Sequence, residues 1–325
     1  MHDRAPPYDP ELAAILAVRL GSHPTALSAD TLPEGRKGAS EASEATSERL
    51  RADPELQISG HMCRAGRTSD HVPIVVVEPT SGPRLSRPCL VYYHPGARIM
   101  GDAYTMIHPL VEWTKAFNAV TISVGYRLAP EHPGSTATED AYAALQWVWA
   151  HTEDLAIDRG RIVLVGFSAG GGLAAGVALM ARDRNSGPRL CGQVLVCPML
   201  DDRSTTISAR QYPTGGSFSS DDNKFAWGLV LAARAGTDDV SVYDAPARAQ
   251  DLTTLPPAYI EAGSAEPFRD EAVQYASRMW ECGGQAELHI WPGAPHSFNL
   301  IAPEAAISKA ANETRLSWLK RALLG

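Results

Sequence analysis

Residues 161–183 read RIVLVGFSAGGGLAAGVALMARD: a β-branched run, the turn Gly166-Phe167-Ser168-Ala169-Gly170, then a small-residue helical segment. A serine set between two glycines at a strand-to-helix junction is a candidate nucleophile. The sharp turn exposes its hydroxyl. The helix start brings free N–H groups and a positive dipole end beside it. A hydroxyl attacks a carbonyl only when a base takes its proton and an acid orients that base. The order expected after such a turn is serine, acid, histidine. Two histidines follow Ser168: His289 inside the run AELHIW, and His296 in the loop GAPHSF that comes after it. The loop position makes His296 the predicted base, and His289 is read as a packing residue. The acid belongs on the loop after the preceding strand, where GSAEPFRDE offers Glu266, Asp270 and Glu271. Asp270 and Glu271 open a helix, where carboxylates are favourable in any case. Glu266 is favoured and Asp270 is the alternative. Such a set performs two-step acyl transfer without a metal or a cofactor.

The elements that must hold these residues follow a rhythm. Apolar, β-branched runs fall at 73–79, 89–94, 119–126, 161–168, 192–198, 257–263 and 286–293. Helix-period segments lie at 106–117, 139–151, 169–183, 270–283 and 304–322. Runs without alternation predict strands covered on both faces, and the alternation of strand and helix predicts a mostly parallel sheet. Residues 9–21 predict an amphipathic helix ending near Gly21. Residues 22–48 are polar and weakly patterned, and read as a mobile connector or part of a lid. Residues 201–248 show no clear strand and read as an inserted lid. The chain therefore divides into an N-terminal cap segment (1–50), a first core part (51–200), a cap insertion (201–248) and a second core part (249–325).

The chain has 325 residues, 44% of them hydrophobic, enough for a substantial core; the net charge of −8 offers nothing to nucleic acid or an anionic membrane. The N-terminus lacks the order of a secretory signal, and its apolar run is too short to span a bilayer. Cys63, Cys89, Cys191, Cys197 and Cys282 are scattered and odd in number, which indicates neither a disulfide framework nor a zinc site. Cys89 and Cys197 read as small packing hydrophobes. A soluble cytoplasmic protein is the expectation, without stable membrane association.

Five collinear motifs resemble the hormone-sensitive-lipase-like branch of the α/β-hydrolases, the bacterial family IV esterases. YYHPGARIMGD (92–102) resembles its His-Gly-Gly-Gly loop, GYRLAPEHP (125–133) its Y-R-L-A-P-E-H-P signature, and GFSAGGG its nucleophile elbow. CPMLDDR, followed by PPAYIEAGSAEPFRDE, resembles the region carrying its acid, and PHSF stands where H-G-F is usual. The resemblance covers roughly residues 70–322. It implies an α/β-hydrolase fold with an eight-stranded, mostly parallel sheet and a helical cap. It also implies a carboxylesterase acting on small to medium acyl or aryl esters. Ser168 would be the nucleophile, His296 the base and Glu266 the acid. The oxyanion would rest on the N–H groups of Gly96, Ala97 and Ala169. Pro95 has no N–H, but the resemblance places the donors at the next two positions. If Ala97 needs a positive φ, alanine is disfavoured there.

Met100, Met106, Phe218 and Trp227 are candidate pocket residues, with Phe225 beside them in the insertion. Arg98 reads as a binder of an acidic substrate group or, preferentially, as a surface ion pair. Arg127, Glu131 and Asp140 read as a structural corner, and LDDR (200–203) as a salt-bridged turn. Many members of the family are dimers, so a homodimer is an option. Two other activities stay open on this scaffold. One is a dehydratase, allowed by the altered oxyanion loop. The other is a non-catalytic receptor, against which the complete set of three residues argues.

Overall fold

The structure, a computed structural model, describes residues 4–20, 26–66, 70–184 and 188–324. Helices α1 (Pro10–Leu20) and α2 (Leu32–Ala52) precede the first strand. Then come β1 (Leu56–Arg64), β2 (His71–Pro79), β3 (Arg87–Tyr93), α3 (His108–Phe117), β4 (Val120–Val124), α4 (Thr136–Ala150), β5 (Ile157–Phe167) and α5 (Ala169–Asp183). After β6 (Gly192–Val196) lie α6 (Ile207–Gln211) and α7 (Ser220–Leu231), then β7 (Ala258–Gly263), α8 (Arg269–Glu281), β8 (Ala286–Trp291), α9 (Phe298–Ile301) and α10 (Ala306–Leu324). The eight strands form one sheet in the order β1-β2-β4-β3-β5-β6-β7-β8. β2 is antiparallel to both its neighbours, and every pair from β4 to β8 is parallel.

β3 shows why these strands read as unbroken apolar runs. Cys89, Val91 and Tyr93 enter the core under α4, α5 and α8, whereas Leu90 and Tyr92 enter the core under α3 and α10. Both faces are covered, so no position need be polar. A third apolar cluster sits beyond the strand ends, where Leu32, Ala97, Ile99, Met199 and Trp227 meet.

Two expectations are corrected. The apolar runs located seven strands, and β1 was not among them. Only Leu56 and Cys63 of β1 are buried, because it is an edge strand paired on one side with β2. The connector read over 22–48 is instead largely the 21-residue helix α2. Good helix formers, Pro33 and Glu34 in the first turn, and Arg49 and Arg51 in the last favour it locally. Only Leu32, Ser43 and Leu50 along it are buried, so no apolar stripe announced it. The predicted helix end at Gly21, and residues 22–25 of the connector, lie outside the described residues. The 106–117 helix begins at His108, after Met106 at φ 52°. Among the described residues no helix is long and apolar enough to cross a membrane.

Candidate active site

Ser168 stands between β5 and α5 with φ 54° and ψ −119°, a conformation disfavoured for a side chain bearing a Cβ. The flanking glycines make this turn fit. A Cβ on Gly166 would lie 1.9 Å from the Gly170 carbonyl oxygen, and one on Gly170 would lie 1.9 Å from that of Tyr93. The His296 loop follows β8, and the Glu266 loop follows β7. The structure joins the three residues in one chain of hydrogen bonds. His296 Nε2 is 2.9 Å from Ser168 Oγ, and Nδ1 is 2.5 Å from Glu266 Oε2. The Gly263 N–H donates to Glu266 Oε1 at 2.6 Å and fixes the carboxylate. All three side chains are buried.

Burial by itself pulls the His296 pKa down. The Cys197 sulfur and the Glu266 carboxylate beside it outweigh burial and raise it above the ordinary value. Asp270, the alternative acid, is engaged elsewhere: it accepts from the Ser208 N–H at 2.8 Å and from Arg269 Nε at 2.7 Å. Glu271 is buried, which pushes its pKa well up, and it accepts from the Leu200 N–H. His289 stays on β8, bonded to Glu287 and packed against Tyr259 and Trp291.

The other side of the site is the loop after β3. His94 is fully buried and stacks on Tyr126, with ring centroids 4.1 Å apart. Burial drives its pKa down to about 4, so the neutral ring keeps its Nδ1 proton and donates it to the Pro95 carbonyl at 2.7 Å. The Tyr126 hydroxyl donates to the His94 carbonyl. Gly96 turns at φ 117°, Ala97 at 55° and Arg98 at 61°. Ala97 and Arg98 therefore both hold left-handed conformations without being glycine, each disfavoured by about 1–2 kcal/mol. Among the described residues the N–H groups of Gly96, Ala97 and Ala169 find no protein acceptor.

Two arginines hold this strained loop, and one of them was not foreseen. Arg36, on α2, donates through Nε to the Ile99 carbonyl at 2.7 Å and through Nη2 to the Ala129 carbonyl at 2.6 Å. It also binds Glu131 with two bonds of 2.5 and 2.9 Å, holding that carboxyl down at about 2. Nothing in the sequence linked residue 36 to a loop sixty residues on, since its targets include main-chain carbonyls. Arg98 is the second. It is buried, not a surface ion pair, and among the described residues it faces no carboxylate within salt-bridge distance. It donates to the Asp244 carbonyl at 2.9 Å, and its guanidinium lies 5.0 Å from the Trp227 ring centroid. Both contacts belong to the 201–248 insertion.

A cavity of about 810 Å³ opens over the serine and is lined by Ser168, His296, Gly96, Ala97, Met100, Met106 and Phe218. Residues of α2, among them Ala39, Ala42 and Ser43, form part of its wall. Trp227 does not line it: the indole is fully buried in the cluster beneath α7, where it packs on Arg98. The expected corner is changed as well. Arg127 pairs with Asp140 at 2.8 Å, while Glu131 goes to Arg36. In the LDDR turn, Asp201 pairs with Arg203 and Asp202 with Arg248.

A serine held at a strained elbow, a loop imidazole and a buried carboxylate at the carboxyl ends of parallel strands define the serine-hydrolase type of α/β protein. The family model for the α/β hydrolase fold matches residues 90–300. Carboxylesterase NlhH of Mycobacterium tuberculosis is 34% identical over 277 residues, covering 83% of this chain and 84% of that protein. Esterase LipI of the same species is 33% identical over 216 residues, and the match spans 65% of each chain, just under two thirds of LipI. Among solved structures, a bacterial heroin esterase superposes with a TM-score of 0.87 at 35% identity, over 97% of this chain and 98% of that one. The chain belongs to the α/β-hydrolase fold family, in its hormone-sensitive-lipase-like branch. It is an ester-hydrolysing enzyme.

Proposed function

We propose that this enzyme is a serine carboxylesterase that cleaves small to medium acyl or aryl esters through an acyl-enzyme on Ser168. The observation that carries this reading is the unbroken path Ser168 Oγ, His296 Nε2, His296 Nδ1, Glu266 Oε2 at the floor of the cavity. In the first half, Ser168 Oγ attacks the ester carbonyl as its proton passes to His296 Nε2. Glu266 stabilises the imidazolium that forms and holds Nδ1–H in place. The tetrahedral oxyanion is received by the N–H groups of Gly96, Ala97 and Ala169, which have no acceptor of their own among the described residues. His296 then protonates the leaving alcohol. In the second half the same imidazole takes a proton from water, which attacks the acyl carbon and releases the acid.

We read residues 1–50 and 201–248 as a cap on this cavity. In support, α2 and the 214–222 segment contribute wall residues, and Ser217 Oγ donates to the His296 carbonyl at 2.6 Å. The cavity's volume suits a small-molecule ester rather than a macromolecular surface. All five cysteines are free, which agrees with a reducing compartment, and we place the enzyme in the cytoplasm.

The test is a chain-length series of p-nitrophenyl esters with wild type and Ser168→Ala. The reading expects turnover that peaks at short to medium chains and a loss on the order of 10⁴–10⁶-fold in the variant. Full activity in Ser168→Ala would rule it out.

A further inference from the structure

The acid–base side of the site contains a side chain that the acyl-transfer mechanism does not use. Cys197 follows β6, and its N–H donates to the Glu261 carbonyl of β7 at 2.6 Å. Its Sγ, a Glu266 carboxylate oxygen and a His296 ring nitrogen lie within 4.8 Å of one another, and all three residues are buried. Ser297 Oγ is 3.8 Å from Cys197 Sγ, and Ser297 lines the cavity, so the thiol lies one side chain away from the substrate space. Sulfur, imidazole nitrogen and carboxylate oxygen together form a donor set suited to zinc or cadmium and not to magnesium or calcium.

We infer that Cys197, Glu266 and His296 form an inhibitory site for a soft divalent cation such as zinc. The inference rests on the base role proposed above for His296. An ion there needs bonds of about 2.3 Å to sulfur and about 2.0–2.2 Å to nitrogen and oxygen. The Nδ1–Glu266 hydrogen bond must therefore open, and the cation takes the place of its proton. The thiol proton and the Nδ1 proton leave to solvent and Nε2 takes one proton from solvent, so one proton is released in all, the ring stays neutral and Ser168 keeps its hydroxyl proton. One thiolate and one carboxylate then balance the two charges of the ion, so no net charge is buried. Nδ1 now binds the metal, and Nε2 carries a proton toward Ser168 Oγ. The imidazole has no lone pair left to accept the serine proton, so acylation stops.

The experiment titrates zinc, cadmium and magnesium chlorides into the purified enzyme with a short p-nitrophenyl ester, each variant referred to its own metal-free rate. Zinc and cadmium are expected to inhibit, a chelator to restore the rate, and magnesium to have no effect. Cys197→Ser and Cys197→Ala should each weaken zinc inhibition by about tenfold or more. A second readout does not depend on catalysis. Cadmium added to Ser168→Ala should give the ultraviolet thiolate-to-cadmium band, and the band should vanish in Ser168→Ala/Cys197→Ala. Equal zinc sensitivity in wild type and both Cys197 variants, or a cadmium band that survives loss of Cys197, overturns the inference. Activity retained by Ser168→Ala would instead contradict the proposed function and leave the cadmium result to stand by itself.

Discussion

The two sides of the proposed site, acid–base and oxyanion, are held in place by different means. The acid–base side hangs from the ends of two adjacent parallel strands: Glu266 is bonded to the Gly263 N–H three residues away, and His296 meets it from the next loop. The oxyanion side is held from a distance. Its loop is strained at Ala97 and Arg98, and its shape depends on Arg36 from α2 and on Asp244 and Trp227 from the 201–248 insertion. Position on the first side follows from the sheet. On the second it depends on side chains from α2 and from the 201–248 insertion, far from the loop in sequence.

That contrast predicts a ranking of mutational effects. The largest is on the sheet-held side. Glu266→Gln keeps the volume but removes the charge that holds the His296 tautomer, and kcat should fall by about 10⁴ with KM little changed. A loss below tenfold in steady-state assays would mean that another group orients His296. Next comes Arg36→Ala, which frees the carbonyls of Ile99 and Ala129 and strands Glu131. Losing one oxyanion donor outright typically costs about 10²–10³ in kcat, and a loosened loop should cost less, about ten- to a hundredfold. Arg36→Lys can reach one acceptor but not the whole set, so it should recover only part of the rate. An Arg36→Ala enzyme with full kcat would remove the distinction between the two sides.

The third effect is on pH. The base must be neutral to accept the serine proton, and His296 has its pKa raised by Cys197 and Glu266 against the pull of burial. Activity should therefore fall as pH drops through that raised value, with the acid limb of kcat/KM above the ordinary histidine value of about 6.5. Glu266→Gln should move the limb to lower pH, since the stabilising negative charge is gone. A limb that stays put would show that Glu266 is not what raises it. The smallest effects fall on the loop itself. Ala97→Gly relieves a left-handed alanine at φ 55° and should leave kcat unchanged or slightly higher, with stability altered by about 1 kcal/mol or less in thermal unfolding. Pro95→Gly should change kcat little, because the donors assigned to the loop lie at positions 96 and 97. A hundredfold rise would show that the proline had displaced a donor.

The same contrast explains what could be read from the residues alone. Ser168 sits in a turn whose glycines are demanded by backbone contacts of 1.9 Å, and such a requirement leaves a local pattern. His296 and Glu266 follow strands whose apolar runs mark their ends. Arg36 left no pattern, because two of its acceptors are main-chain carbonyls at Ile99 and Ala129, which any residue supplies. The α2 helix carrying it buries too few apolar side chains to show a period. Trp227 could be placed in the insertion but not on a side of it: an indole that lines a cavity and one that covers a buried guanidinium look alike in sequence. β1 escaped because an edge strand with two buried residues has little alternation to display.

On the proposed function, Ser168 is the nucleophile of an acyl-transfer site assembled from these two sides. Intact-protein mass spectrometry after brief treatment with a fluorophosphonate tests it most directly. A single phosphonyl adduct is expected on the wild type, mapped by peptide digestion to Ser168, and none on Ser168→Ala. An adduct that persists in Ser168→Ala, or a wild type that stays unmodified while it hydrolyses ester, would contradict it.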